Sequence, residues 1–247
     1  MIETRARSFA ELVGFPACLG PALPGETHGT TVLALRFDQG VLVLADRRAT
    51  AGNLIMYDQA EKVLPLDDHT VVGISGAYGR SLEVCRFLRH SFKFYARMHL
   101  QELSFEGKLM EISRALAANQ AEAMAGVGFF LPIVAAYDRA RYSFGVYFFD
   151  GAGARFENGS YACAGSGSER IRGVFEYLQR TKGPFQERGL DDVLREGLVL
   201  LDIAADLDSA TGGFGKVPPV ARVLDREGNR PLDPERLAGA IRDVQRS

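Results

Sequence analysis

Three polar residues at equal spacing near the start of the chain could form one chemical site. Asp46 stands sixteen residues after Thr30, and Lys62 stands sixteen residues after Asp46. A threonine hydroxyl is a weak nucleophile at neutral pH and needs an adjacent base. An aspartate and a lysine at a buried strand end need each other, because an unpaired buried charge is costly. Each feature alone has an ordinary interpretation: Gly29-Thr30-Thr31 is typical of a turn that enters a strand, and the charged residues could be a surface pair.

Two predicted strands would bring Asp46 back to Thr30. Residues 30–37 are rich in β-forming side chains, residues 38–40 supply a turn, and residues 41–46 are apolar at every position before the aspartate. If these strands form a hairpin, the end of the second lies near the start of the first. The continuous apolar run also predicts that both faces of the second strand are covered.

The remaining pattern predicts an α+β fold. Residues 70–75 form a further buried strand that Gly76 closes, where a backbone N–H can face a substrate with no side chain in the way. Strands are predicted at residues 131–137, 142–149 and 220–224, and helices at about residues 77–102, 106–124, 169–179, 190–207 and 233–246. This grouping fits a four-layer α-β-β-α sandwich, in which two mostly antiparallel sheets stack face to face with helix pairs outside. No repeat or change of composition divides residues 30–247, so one domain is predicted.

Composition and charge disfavour several function classes. The net charge of -2 and the sequence pI of about 6.1 give no electrostatic reason for a nucleic-acid or anionic-membrane partner. No apolar run is long enough to span a membrane. The three cysteines, at positions 18, 85 and 163, form no CxxC pair and the four histidines lack HExxH spacing, so neither a disulfide framework nor a metal site is predicted. Residues 1–27 lack the uninterrupted apolar stretch of a signal peptide and end in a loop-like run that suits a removable segment.

Several segments in consistent order carry a resemblance to a known family. They are Gly29-Thr30-Thr31, Ala45-Asp46-Arg47-Arg48, Lys62, Gly73-Ile74-Ser75-Gly76, Gly165-Ser166-Gly167-Ser168 and Asp208-Ser209-Ala210-Thr211-Gly212-Gly213. Together they resemble a proteasome core-particle β-subunit of the bacterial, actinobacterial type, a threonine peptidase of the N-terminal-nucleophile hydrolase class. The resemblance spans Gly29 to about Arg246, and residues 1–28 resemble the family only as a propeptide of suitable length.

The resemblance implies that the chain is a zymogen. Autocleavage between Gly29 and Thr30 would remove residues 1–29 and leave residues 30–247 as the catalytic domain. The freed α-amine, with an ordinary pKa of roughly 7.7–8.0, could then take the proton of the threonine hydroxyl, which it cannot do as an amide. Thr30 Oγ1 would attack the scissile carbonyl and form an acyl ester that water resolves.

The resemblance also assigns roles to other residues. Lys62, held by Asp46, would place a positive charge beside Thr30, and the Gly76 N–H would stabilise the oxyanion. Ser166, Asp208 and Thr211 match the network around the threonine amine, although the family often has serine at the position of Thr211. Thr50 matches the residue that binds the substrate backbone, and the pocket for the residue before the cut matches Ala49, Ala60, Leu64, Ile74, Tyr78 and Leu82. We expect a preference for large apolar residues, although the larger aliphatic members of this set equally fit plain core packing.

The implied partners are α-subunits and other β-subunits in stacked seven-membered rings, a ring ATPase that unfolds substrates, and a small ubiquitin-like tag, all in the cytoplasm. No metal or organic cofactor is implied. Two alternatives stay open, a catalytically silent ring subunit and a related hydrolase acting on small amides. A nucleotide-binding loop at residues 165–167 fails because Arg170 stands where a third glycine is needed, and Ala164 interrupts a GxSxG serine-hydrolase motif.

Overall fold

A computed structural model describes residues 29–52, 54–124 and 128–246; residues 1–28 of the predicted propeptide, with Cys18 and His28, lie outside them. The strands are β1 (Val32–Phe37), β2 (Gly40–Ala45), β3 (Ala49–Ala51), β4 (Leu54–Tyr57), β5 (Val63–Asp67), β6 (Thr70–Gly73), β7 (Ile133–Asp138), β8 (Ser143–Phe149), β9 (Arg155–Asn158), β10 (Tyr161–Ala164), β11 (Val220–Asp225) and β12 (Gly228–Pro231). The helices are α1 (Tyr78–His99), α2 (Phe105–Ala118), α3 (Gln120–Met124), α4 (Ser168–Lys182), α5 (Leu190–Leu207) and α6 (Pro234–Arg246).

Two five-stranded sheets form the centre of the fold. The first has the order β10-β1-β2-β11-β12 and the second the order β5-β6-β7-β8-β9, while β3 and β4 form a separate hairpin. The strand pairs in both sheets are antiparallel. In the predicted β1–β2 hairpin, Val32 lies opposite Ala45 and Phe37 lies opposite Gly40, so the prediction of a hairpin is confirmed.

The side chains of β1 and β2 alternate between two separate cores. Leu33, Leu35, Leu42 and Leu44 pack against α4, α5 and α6, whereas Val32, Ala34, Val41 and Val43 pack against the second sheet. Because successive side chains of a strand point to opposite faces, a strand covered on both faces must be apolar throughout. A third core joins the outer face of the second sheet to α1 and α2. The layers are therefore helix, sheet, sheet and helix, and the predicted α+β sandwich is confirmed.

The structure divides one predicted helix and adds short strands. The helix predicted over residues 106–124 is broken at Asn119, whose side chain donates to Gly128 O at 2.8 Å and accepts from Arg80 Nε at 2.6 Å. These bonds occupy the asparagine amide at the end of α2, which favours a break there. The strands β3, β4, β5, β9, β10 and β12 were not predicted, because each has only three to five residues, which is too short a pattern to detect from spacing alone.

Candidate active site

The β1–β2 hairpin places Thr31 directly beside Asp46. Thr31 N–H donates to Asp46 Oδ1 at 2.8 Å, and Asp46 N–H donates to Thr31 O at 3.2 Å. These bonds continue the pairing one step beyond Val32 and Ala45, the last pair of the ladder. The predicted approach of the two chain segments is therefore set by the register of one antiparallel pair.

The Asp46 carboxylate is buried and surrounded by donors. Its Oδ1 accepts from Thr31 N–H and from Lys62 Nζ, each at 2.8 Å. Its Oδ2 accepts from the N–H groups of Arg48 and Gly212, each at 2.9 Å. Four donors hold the carboxylate in one orientation and satisfy its oxygens, which a side chain that is 1% exposed requires.

Lys62 lies between this carboxylate and the carbonyl that precedes Thr30. Its ammonium donates to Asp46 Oδ1, to the backbone oxygen of Arg48, and to Gly29 O at 3.4 Å. Three acceptors thus match the three hydrogens of the ammonium. Burial lowers the pKa of Lys62 below its ordinary value, and the Asp46 carboxylate opposes that lowering. The site therefore holds a buried lysine that bonds to one carboxylate and two carbonyl oxygens, one of which is that of Gly29.

The peptide bond between Gly29 and Thr30 lies within this site. Thr30 is 4% exposed and its Oγ1 donates to Gly29 O at 2.7 Å. The N–H of Gly29 donates to Thr50 Oγ1 at 3.0 Å. A β-carbon on residue 29 would lie 1.8 Å from Ala210 Cβ, so the close approach of this segment to residue 210 requires glycine. A hydroxyl, a polarised carbonyl and a buried cation therefore meet at a single bond.

Gly76 presents an N–H that the neighbouring chain segment leaves unused. Ala77 N–H donates to Phe129 O at 2.7 Å and Leu131 N–H donates to Ser75 O at 3.1 Å. These bonds flank an isolated bridge between Gly76 and Phe130, in which neither bridging residue bonds to the other. The φ of Gly76 is +97°, and a β-carbon there would lie 2.0 Å from Phe129 O, so only glycine fits.

Ser166 and Thr211 share one carboxylate, that of Asp208. Both hydroxyls donate to Asp208 Oδ2 at 2.6 Å, and Thr211 Oγ1 lies 2.7 Å from the hydroxyl of Thr31. Partial burial tends to raise the pKa of Asp208, but the bonds from Ser166, Thr211 and Ala210 N–H, together with the charge of Arg170, outweigh it and hold that pKa below its ordinary value. This hydroxyl network is thereby joined to the residue that follows Thr30.

The residues predicted to bind substrate fall into two groups. Ala49 and Thr50 are buried residues of β3, and Ala60, which follows β4, is also buried. Leu64, Ile74, Tyr78 and Leu82 belong to or pack against the core between the second sheet and α1. The hydroxyl of Tyr78 accepts a hydrogen bond from Glu61 N–H at 3.0 Å, which ties the start of α1 to the segment before Lys62.

Sequence reasoning assigned no role to Arg48, which links two parts of the site. Its Nη1 donates to Ser209 O at 3.2 Å and to Thr211 O at 3.3 Å, while its backbone oxygen accepts from Lys62. Its Nε pairs with Asp58 at 3.1 Å. The signal was present in the segment Ala45-Asp46-Arg47-Arg48, but only the folded chain shows that this arginine reaches the loop that follows Asp208.

Comparison with known proteins decides the family. The model of the proteasome subunit family matches residues 26–213. The chain belongs to the proteasome subunit family. It is 37% identical over 224 residues to a proteasome subunit beta of Acidimicrobium ferrooxidans, covering 89% of this chain and 78% of that protein. The proteasome subunits beta of Acidothermus cellulolyticus and Streptomyces griseus are 35% and 34% identical, over 90% and 88% of this chain and 77% and 76% of those proteins.

The predicted resemblance to a bacterial proteasome β-subunit is thereby confirmed, and the sandwich is the fold expected of this family. Within residues 29–52, 54–124 and 128–246, the subunit has no group of three or more side chains that could hold a metal ion. None of the helices in those ranges combines the length and the apolar composition that a membrane span requires.

Proposed function

We propose that this subunit is a threonine endopeptidase made as a precursor, with residues 1–29 as a propeptide and residues 30–247 as the catalytic domain. One observation carries the proposal. Thr30 Oγ1 lies 2.7 Å from Gly29 O, and Lys62, paired with the buried Asp46, donates to the same oxygen. A silent ring subunit would have no need for this arrangement of hydroxyl, cation and carboxylate at one peptide bond.

Self-cleavage would begin with attack of Thr30 Oγ1 on the carbonyl carbon of Gly29. A bond forms between that oxygen and the carbon, the bond from the carbon to the Thr30 nitrogen breaks, and the hydroxyl proton passes to the nitrogen. The Lys62 ammonium stabilises the negative charge that develops on Gly29 O. Water then hydrolyses the resulting ester, which releases the Gly29 carboxylate and leaves Thr30 with a free amine and a free hydroxyl.

The same groups would then hydrolyse peptide bonds of unfolded proteins. The Thr30 amine takes the hydroxyl proton, Oγ1 attacks the substrate carbonyl, and the Gly76 N–H and Lys62 stabilise the oxyanion. Removing a single oxyanion donor costs about 10²–10³ in rate in comparable sites. The amine proton passes to the leaving group, and water resolves the acyl ester. Asp208, with the hydroxyls of Ser166 and Thr211, orients the amine.

The last residue of the propeptide supports the proposed mode of substrate binding. Gly29 N–H donates to Thr50 Oγ1, and this bond supports the proposal that a substrate residue before the cut would bind where Gly29 lies. Its backbone would be bound in an extended form by that hydroxyl. The walls proposed for the pocket, Ala49, Ala60, Leu64, Ile74, Tyr78 and Leu82, are mainly apolar, and they favour large apolar residues before the cut.

An exposed apolar hairpin supports assembly with other subunits. Leu54, Ile55, Met56 and Tyr57, the whole of β4, are each 47–64% exposed. Consecutive exposed apolar residues on both faces of a hairpin are typical of a protein–protein contact. We propose stacked heptameric rings with α-subunits and other β-subunits, served in the cytoplasm by a ring ATPase that delivers tagged substrates.

Intact mass and N-terminal sequencing after co-expression with the α-partner test this proposal. We expect a new terminus at Thr30, lost in Thr30→Ala, together with hydrolysis of a fluorogenic peptide by the assembled particle. If the assembled wild-type subunit keeps residues 1–29 and hydrolyses no peptide, the silent ring subunit is the correct reading.

A further inference from the structure

Thr31, the residue after the proposed nucleophile, is fully buried and bonded at each of its polar groups. Its N–H donates to Asp46 Oδ1 and its carbonyl oxygen accepts from Asp46 N–H. Its Oγ1 lies 2.7 Å from Thr211 Oγ1. The backbone contacts belong to the hairpin register, whereas the hydroxyl contact reaches a loop 180 positions away. The hydroxyl contact is therefore independent of the backbone bonds that form the hairpin.

The direction of that hydroxyl bond follows from counting hydrogens. Thr211 has one hydroxyl hydrogen, and it goes to Asp208 Oδ2, which as a carboxylate can only accept. Thr211 Oγ1 must therefore accept from Thr31, which makes Thr31 the donor. The bonds run from Thr31 to Thr211 and from Thr211 to Asp208, in one chain.

Cleavage before Thr30 changes what holds the nucleophile. In the uncut chain, the segment is also held from its other side, where Gly29 N–H binds Thr50 and Gly29 O accepts from Lys62. Both contacts belong to Gly29 and leave with it. After cleavage Thr30 is a chain end, and its only covalent link to the protein is through Thr31.

We propose that Thr31 is a positioning residue whose hydroxyl keeps the freed Thr30 in register with the Lys62–Asp46 pair and the Asp208 network. The inference rests on the proposed function. It makes the hydroxyl more important for peptide hydrolysis than for self-cleavage, because the uncut chain has the Gly29 contacts as a second restraint. Thr31 does not touch the substrate in this role and acts only through Thr30.

Gly167 lies over the pair of hydroxyls and leaves the room they need. A β-carbon on residue 167 would lie 2.2 Å from Thr31 Oγ1 and 2.7 Å from Thr211 Oγ1. Gly167→Ala would therefore displace the bond without deleting either hydroxyl. Gly173, on α4, is a matched control, because a β-carbon there would meet nothing within 4 Å.

The test compares Thr31→Val, Thr31→Ser and wild type as full-length chains assembled with the α-partner. Valine keeps the shape and loses the donor, while serine keeps the donor. For Thr31→Val we expect the rate of self-cleavage to stay within about twofold of wild type. The kcat for a fluorogenic peptide should fall about tenfold, which corresponds to the free energy of one ordinary hydrogen bond. KM should change less than about twofold. Thr31→Ser should recover most of kcat.

The outcomes separate this inference from the proposed function. One outcome is that wild type cleaves itself and hydrolyses the peptide while Thr31→Val does both at the same rates. In that case only this inference is overturned, and the proposed function stands. Equal losses in self-cleavage and kcat together with a lower Tm would show a general structural role and overturn it too. If wild type keeps residues 1–29, the proposed function fails, and this inference, which needs a freed Thr30, fails with it.

Gly167→Ala and a double variant test whether a loss of kcat in Thr31→Val comes from the lost hydrogen bond or from misfolding at residue 31. Gly167→Ala should repeat the loss of kcat seen in Thr31→Val, and Gly173→Ala should not. Thr31→Val combined with Thr211→Val should lose no more kcat than Thr211→Val alone, because both hydroxyls act through one chain of bonds. Multiplied losses in the double variant would overturn the coupling.

Discussion

Gly29→Ala should slow the release of residues 1–29 without changing the chemistry of the released subunit. A β-carbon on residue 29 would lie 1.8 Å from Ala210 Cβ and 2.7 Å from Ala210 O. Carbon atoms in contact lie about 3.5–4.0 Å apart, so residue 29 must move by about 2 Å. Because a misplacement of about 1 Å can cost ~10² in rate, we expect self-cleavage to slow by at least about 100-fold.

The assay for Gly29→Ala is a time course of intact mass after assembly with the α-partner. Any subunit that is eventually cut no longer contains residue 29, so peptide hydrolysis per processed subunit should equal that of wild type. Gly29→Ala combined with Ala210→Gly removes the closest opposing atom and should recover part of the rate, since the contact of 2.7 Å with Ala210 O remains. Processing of Gly29→Ala within about tenfold of the wild-type rate would refute the steric reasoning.

Three further predictions follow from the charges and the pocket. Asp46→Asn leaves Lys62 buried without its anion, so we expect the free energy of unfolding to fall by about 3–5 kcal/mol and the propeptide to stay uncut. Denaturant titration measures the first effect, and an unchanged unfolding midpoint would contradict the prediction. The pKa of Asp208 is lowered on folding, so its contribution to stability is present above the ordinary value of 3.8 and is lost as pH falls through the folded value. Thermal unfolding from pH 6 to pH 3 should therefore converge for wild type and Asp208→Asn, and parallel curves would refute the sign. Tyr78→Ala removes the ring whose hydroxyl binds Glu61 N–H, which should enlarge the pocket. The ratio of kcat/KM for a substrate with phenylalanine before the cut to that for one with alanine should rise about tenfold, and Tyr78→Leu should change this ratio less. An unchanged ratio would exclude Tyr78 from the pocket.

Much of the fold could be predicted because its signals are local. The helix Leu190–Leu207 was predicted with its observed bounds, since its apolar positions recur at helical spacing over eighteen residues. The all-apolar run before Asp46 predicted a strand covered on both faces, and the structure places helices on one face and the second sheet on the other. The break at Asn119 escaped prediction because it depends on Arg80 and Gly128, which meet that side chain only in the folded chain.

The candidate site likewise contains some contacts that the sequence predicted and others that it did not. The hairpin alone predicted that the end of β2 returns to Thr30, and the bond from Thr31 N–H to Asp46 follows from its register. The sequence did not indicate that Arg48 reaches the carbonyl groups of Ser209 and Thr211, or that the hydroxyl of Thr31 meets Thr211. Those contacts join segments more than 150 positions apart, and residue spacing carries no signal over such distances.

By itself, the amino-acid sequence determined the longer strands, the positions of most helices, the hairpin, the sandwich class and the family, because side-chain periodicity and short motifs act through neighbours along the chain. Only the tertiary structure decided how the site is held. Gly212 N–H completes the donors around Asp46, and three acceptors surround the ammonium of Lys62. Which polar groups become partners is settled when the two sheets and the outer helices bury them together, because each buried group must then bond to whatever donor or acceptor the packing brings within reach.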